Sequence, residues 1–122
     1  MPDSTVQNMI FTLKFCSAEI VSRIRKEMPL LKDIGPVDGL MPTNARLYRT
    51  YIERYLDSHP QVNKELDLIV KLKEPTQFGL PVEVYFFLTD KVWKEYEQIQ
   101  SDIFDHLLVI VKEFDLKLYQ YS

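Results

Sequence analysis

At 122 residues the chain is the size of one domain, long enough to bury a single core without disulfide or metal staples. Its 46% apolar and 12% aromatic content excludes disorder, and its net charge of −3, with Lys and Arg spread along the chain, gives no nucleic-acid footprint. The longest apolar run, Leu107 to Val111, falls far short of the ~18 residues of a spanning helix, and the single Cys16 excludes an internal disulfide and fits a reducing cytosol.

Met1 to Gln7 is polar and acidic, with no signal-peptide character, and reads as a disordered or appended start lying outside the domain, which would run over residues 8–122. Asn8 to Cys16 alternates, Met9, Phe11, Leu13 and Phe15 against Ile10, Thr12 and Lys14, and predicts a strand. Ser17 then caps a helix carrying Glu19 in its first turn and Ile20, Val21, Ile24 and Met28 on one face, with Pro29 ending it near Glu27. Lys32 to Pro42 holds Gly35-Pro36, Gly39 and Pro42 and reads as a loop. Thr43 caps a second helix with an apolar and aromatic stripe of Leu47, Tyr48, Tyr51, Ile52, Tyr55 and Leu56, an opposite face of Arg46, Arg49, Glu53 and Arg54, and an end at His59-Pro60.

Leu66 to Lys73 alternates as a strand, and Glu74 to Pro81 has the Pro and Gly chemistry of a hairpin link. Val82, Val84, Phe86 and Leu88 then oppose Glu83, Tyr85 and Phe87 along a further strand. Thr89-Asp90 offers a cap for a long helix over Asp90 to Glu113, about 36 Å at ~1.5 Å per residue. Its stripe is Val92, Tyr96, Ile99, Ile103, Leu107, Ile110 and Phe114, with Trp93 and Phe104 as anchors, and Leu116 to Tyr121 closes as a short strand. The order is β-α-(α)-β-β-α-β. It predicts an α+β, ferredoxin-like βαββαβ fold: a four-stranded antiparallel sheet, helices on one face, and one extra helix in the first crossover.

Four groups invite a chemical reading. Asp102 and His106 stand four apart beside Asp105, yet a metal needs three or four ligands and no second His or Cys lies near by spacing; a surface pair, or a His106 bonded to a neighbour, accounts for them. Cys16 precedes a helix start but has no adjacent base, so a buried strand-end thiol accounts for it. Arg46, Arg49 and Arg54 lack a Gly-rich loop and are diluted by Glu53 and Asp57, as a solvated helix face would be. Cys16-Ser17-Ala18-Glu19 after the first strand cannot cradle a phosphate. No catalytic, cofactor-binding or metal residue is assigned and no cofactor is expected. The seven tyrosines, Tyr48, Tyr51, Tyr55, Tyr85, Tyr96, Tyr119 and Tyr121, instead suggest a sheet face covered by a subunit neighbour.

The run Gly79 through Trp93, Tyr96 and Ile99-Gln100-Ser101-Asp102-Ile103-Phe104-Asp105-His106-Leu107 to Glu113-Phe114 and Leu118-Tyr119-Gln120 resembles the carboxyl-terminal region of the small-conductance mechanosensitive channel family. Thr43-Asn44 to Pro60 is the counterpart of an additional helical segment in one branch, and roughly Thr43 to Gln120 is covered. The resemblance implies a non-enzymatic cytosolic domain, a fragment without its membrane part. Identical subunits, seven in the expected ring, would build a vestibule below a tension-gated pore at the cytoplasmic face of the inner (plasma) membrane. The family's Gly/Ala-rich pore helix has no match here, and the tail that closes a small barrel in the best-known members is missing after Ser122. The alternative is a free-standing ferredoxin-like regulatory domain binding a small metabolite at a dimer interface.

Overall fold

A computed structural model of the chain describes residues 3–10, 17–36, 38–74, 77, 80–89, 93–114 and 116–118. In chain order these form β1 (Asp3–Ile10), α1 (Ala18–Glu27), a 3-10 turn (Pro29–Leu31), α2 (Asn44–Ser58), β2 (Ile69–Leu72), β3 (Leu80–Phe86), α3 (Trp93–Ile110), a second 3-10 turn (Val111–Phe114) and β4 (Lys117–Leu118). The strands stand in the order β2-β3-β1-β4, every neighbouring pair antiparallel. β1 and β3 carry the longest ladder, from Asp3 opposite Phe86 to Met9 opposite Leu80.

The helix ends follow their local chemistry. The Ser17 hydroxyl accepts from the Ile20 amide at 3.2 Å, and α1 stops two residues before Pro29, whose ring cannot continue an α-helix. The Thr43 hydroxyl accepts from the Arg46 amide at 3.1 Å and opens α2. Between them the loop turns at Asp38 and Gly39, with φ of 51° and 81°. Gly39 is the residue for that left-handed conformation, and Asp38 is of a type that tolerates it.

The strands differ from expectation in extent. The first begins at Asp3 rather than Asn8, so it occupies most of the stretch expected to be disordered; Asn8 to Ile10 are strand as expected, and Phe11 to Cys16 lie outside the described residues. Ladder bonds are made by backbone groups and need no apolar side chains, so a polar stretch can form a strand where a neighbour offers a free edge. The second strand is confined to Ile69–Leu72. Ahead of it the Asn63 side chain accepts from the Glu65 amide at 2.9 Å and Lys64 reaches the Val62 carbonyl at 2.8 Å, bonds that hold a turn and leave Leu66 47% exposed. Val62 itself bridges Leu88 beyond the end of β3 and is buried.

The alternation of the third strand holds residue for residue. Val82, Val84, Phe86 and Leu88 are buried, while Glu83, Tyr85 and Phe87 are half-buried. Asp90 to Val92 of the long helix lie outside the described residues; its α winding ends at Ile110, three residues before the expected Glu113, and its described length is about 27 Å. It then tightens into the 3-10 turn Val111–Phe114, where residues three apart eclipse, and this brings Val111 and Phe114 together into the core. The Thr89 amide and hydroxyl both donate to the Gln61 carbonyl, and Asp90, the other half of the expected cap, lies outside the described residues.

One apolar cluster joins these elements. α1 supplies Val21 and Ile24, α2 supplies Leu47, Tyr48, Tyr51, Ile52 and Leu56, and α3 supplies Ile99, Ile103 and Leu107. Where α2, α3 and β3 meet, Tyr48, Ile52, Val82, Val84 and Leu107 leave a gap of only about 10 Å³, room for one water at most. Phe86 is fully buried, whereas Phe104 is half-buried and meets it edge to face at 5.8 Å; the side chain of Trp93 lies outside the described residues. Phe86→Ala should therefore cost about 3–5 kcal/mol and Phe104→Ala distinctly less. Urea titration of the two variants checks that order.

Candidate functional site

The conspicuous polar feature of the interior is the contact between α2 and α3. Tyr48, Tyr51 and Tyr55 recur at three and four residues along α2 and so share one face of it. The Tyr48 hydroxyl donates to the Leu107 carbonyl at 2.8 Å. That carbonyl lies in the last turn of α3, just before the chain tightens into the 3-10 turn. Burial pushes the Tyr48 phenol far above its usual range, so it stays a donor at all ordinary pH.

One turn further along α2, the Tyr51 hydroxyl lies 2.6 Å from Nε2 of His106. The imidazole stacks on Tyr55, ring centres 4.3 Å apart and planes 18° from parallel, and on Tyr51 at 5.8 Å. Phe114 tilts against both Tyr48 (5.6 Å) and Tyr51 (5.9 Å), closing the end of the group. Loss of hydration lowers the His106 pKa and raises those of Tyr51 and Tyr55, the charges of Tyr55 and Asp102 adding respectively to the latter two. His59, at the end of α2, meets Tyr55 edge-on at 5.9 Å, and its Nδ1 accepts from the Gln61 amide at 3.1 Å.

His106 is thus bonded to a neighbour, one of the two arrangements its spacing allowed. Asp102 turns elsewhere and accepts from Gln98 Nε2 at 3.0 Å, and Asp105 is exposed. Among the described residues no group of three or more His, Cys, Asp or Glu is placed to hold a metal ion. Cys16 lies outside the described residues. Sequence spacing had no means of pairing His106 with Tyr51, which stands on a different helix 55 residues away.

Arg54 and Arg46 of α2 separate. Arg54 donates to the Leu30 carbonyl at 2.8 Å and pairs with the Asp33 carboxylate, stapling the chain after α1 onto α2. That hydrogen bond is the main reason the Asp33 pKa is lowered, against a smaller opposing effect of burial. Arg46 is exposed at the mouth of an open cleft of about 240 Å³ that Thr50, Arg54 and the turn Asp33–Pro36 also line. With Asp33 balancing Arg54, Arg46 is the one uncompensated cation on the rim among the described residues, which is the character of a solvated face.

A second surface lies on the other side of the sheet. Ile69, 40% exposed, stands opposite Tyr85 in the β2–β3 register, and Tyr85 meets Phe87 edge to face at 5.5 Å. Lys73 and Glu83 pair at 3.4 Å along its border. The aromatic side chains there are half-buried and make a small apolar patch with a charged rim.

Arg54→Ala should lower stability by about 1 kcal/mol, because it removes a bond to a main-chain carbonyl, and Asp33→Asn should cost less, because a surface ion pair contributes little. Thermal unfolding of the two variants measures the difference.

No helix among the described residues is long and apolar enough to cross a membrane. Comparison with protein families finds one matching model, described as the C-terminal part of the mechanosensitive ion channel MscS, over residues 42–118. The match takes in α2, the hairpin of β2 and β3, α3 and β4, which is the segment holding the tyrosine–histidine contact and the Ile69–Tyr85–Phe87 patch. With more than half its length matched, the chain belongs to the MscS mechanosensitive channel family, as its C-terminal domain.

Proposed function

We propose that this chain is the part of a homo-oligomeric mechanosensitive channel that forms a vestibule on the cytoplasmic side of a tension-gated pore, with seven copies in the ring. The observation that carries the reading is the family match over residues 42–118, in a family of channel domains rather than enzymes. The domain's task in this reading is mechanical and electrostatic: it holds subunits in register and screens solutes on their way to the pore. No residue is assigned a catalytic, cofactor-binding or metal-binding role, and membrane contact is made through other segments of the full-length subunit. The strand order β2-β3-β1-β4 supports a ferredoxin-like split βαβ, with the helices on one face of the sheet and α2 as the helix added to the first crossover. Residues 8–122 then form one domain, which β1 extends to Asp3.

The Ile69–Tyr85–Phe87 patch supplies the lateral subunit contact. An apolar centre with a charged rim suits a modest interface, sufficient when neighbouring membrane helices hold the domains at high effective concentration. Each copy also carries a net charge of −3, and a ring sums that charge.

Two measurements test the reading. Reconstituting the product of the complete open reading frame in liposomes and applying suction should give a tension-gated conductance; a bilayer that stays silent while the protein is inserted overturns the channel assignment. Light scattering on the chain by itself, at tens of micromolar in low and in high salt, should show a monomer or weak small oligomer. A heptamer persisting in both salts would show that the domain surfaces specify the ring without a tether.

A further inference from the structure

Two surfaces of the folded chain are left uncovered, and they lie on opposite sides of it. α3 turns Ile99, Ile103 and Leu107 into the core, where Leu107 meets Val82 and Val84 of β3. Helical spacing puts Asp102, Asp105 and Val109 on the side away from that contact, and all three are exposed. Val109, at 64%, is the most exposed large apolar side chain among the described residues. β3 turns Tyr85 and Phe87 away from the core, and Ile69 of β2 stands beside Tyr85 at 40% exposure. A single apolar residue on a helix surface is ordinary, so the weight falls on the charges that flank it.

Along α3 and into the 3-10 turn the exposed order is acid, apolar, cation: Asp105, Val109, Lys112. Along β2, read back from its end, it is cation, apolar, acid: Lys71, Ile69, Asp67, with Val70 and Leu68 packed inward between them. The spacings agree too. Asp105 and Lys112 stand about 6 Å and about 5 Å along the axis from Val109 at ~1.5 Å per residue. Lys71 and Asp67 stand about 7 Å on either side of Ile69 at ~3.3 Å per residue. None of these four charged side chains makes an ion pair among the described residues. Their neighbours Lys73 and Asp102 are already met within the chain, the first by Glu83 at 3.4 Å and the second by Gln98 at 3.0 Å.

We propose that the outer face of α3 in one subunit docks on the Ile69–Tyr85–Phe87 face of the next, with Val109 against the aromatic patch, Asp105 on Lys71 and Lys112 on Asp67. This docking rests on the ring of identical subunits proposed above and names the surface that the patch meets there. A closed ring of more than two copies needs a heterologous contact, in which each subunit offers two different surfaces. A face that met its own copy would join subunits in pairs and stop. The two surfaces lie on opposite sides of one chain, so they cannot meet within it and each is free for a neighbour. The order of charges also allows each face to meet its own copy about a two-fold axis, but Val109 is one side chain and buries more against a patch wider than itself. The ion pairs set the direction and register of the contact more than its strength, and the membrane tether supplies the rest.

Disulfide trapping in the product of the complete open reading frame tests the docking, with Cys16 and any other cysteine replaced by serine. Ile69→Cys and Val109→Cys in the same chain should link subunits head to tail under mild oxidation. A non-reducing gel should then show a ladder of dimers, trimers and higher bands, and each single variant should show none. Both positions are exposed, so the fold tolerates the changes. Lys71→Glu should lower the ladder a few-fold, and adding Asp105→Lys, which restores the pair with its signs exchanged, should bring it back. A dimer band as strong with Ile69→Cys alone overturns the proposal, because the patch then meets its own copy. A product that is oligomeric by light scattering yet gives no ladder overturns it too and leaves the ring of subunits in place, whereas a monomeric product overturns both.

Discussion

A buried tyrosine ring obliges the fold to find a partner for its hydroxyl, and in this chain that obligation fixes where α2 lies against α3. Tyr48 and Tyr51 are both buried, and each reaches across to α3, one to a main-chain carbonyl and the other to an imidazole. Two such bonds one turn apart set the register of the helices far more narrowly than apolar contact, which tolerates sliding. The 3-10 turn after α3 belongs to the same arrangement, because it brings Phe114 round to meet both tyrosines.

From this contact the rest of the core is supported in turn. Ile52 and Leu107 continue the α2–α3 contact down to Val82 and Val84 of β3. Arg54 ties the far side of α2 to the turn after α1, and Arg23 ties α1 to Glu113 through its carbonyl at 3.1 Å and its carboxylate at 3.4 Å. The polar ties lie at the edges and the apolar contacts in the middle, so the exposed ion pairs add little stability and act chiefly to orient the segments they join.

The sequence was most legible where one face is buried and the other is not. β3 could be read residue by residue because alternation is the direct imprint of a half-buried strand, and both described caps could be read because Ser17 and Thr43 act on amides three residues away. The start of β1 at Asp3 was missed because its partner is supplied by a distant strand and the composition there is polar. Val62 was missed because a single bridged residue leaves no period. The same limit applied to the helix interface: the spacing of Asp102 and His106 suggested a pair on one helix, whereas Asp102 and His106 turn to different partners. Arg54 looked like one of three equivalent cations, yet its partners, Leu30 and Asp33, lie in a turn that only the folded chain brings near.

The ladder between β1 and β3 joins residues separated by roughly eighty positions, and β1 sits between β3 and β4 in the sheet. During synthesis the first strand leaves the ribosome long before its partner exists. The middle of the sheet must therefore close late, after the entropy of a long loop has been overcome, while the β2–β3 hairpin can form locally. The polar make-up of Asp3-Ser4-Thr5 and Gln7-Asn8 suits that wait, since a strand that remains wet and unpaired is a poor nucleus for association with other nascent chains. The feature that hid β1 from pattern reading is the one that lets it stay harmless until β3 arrives.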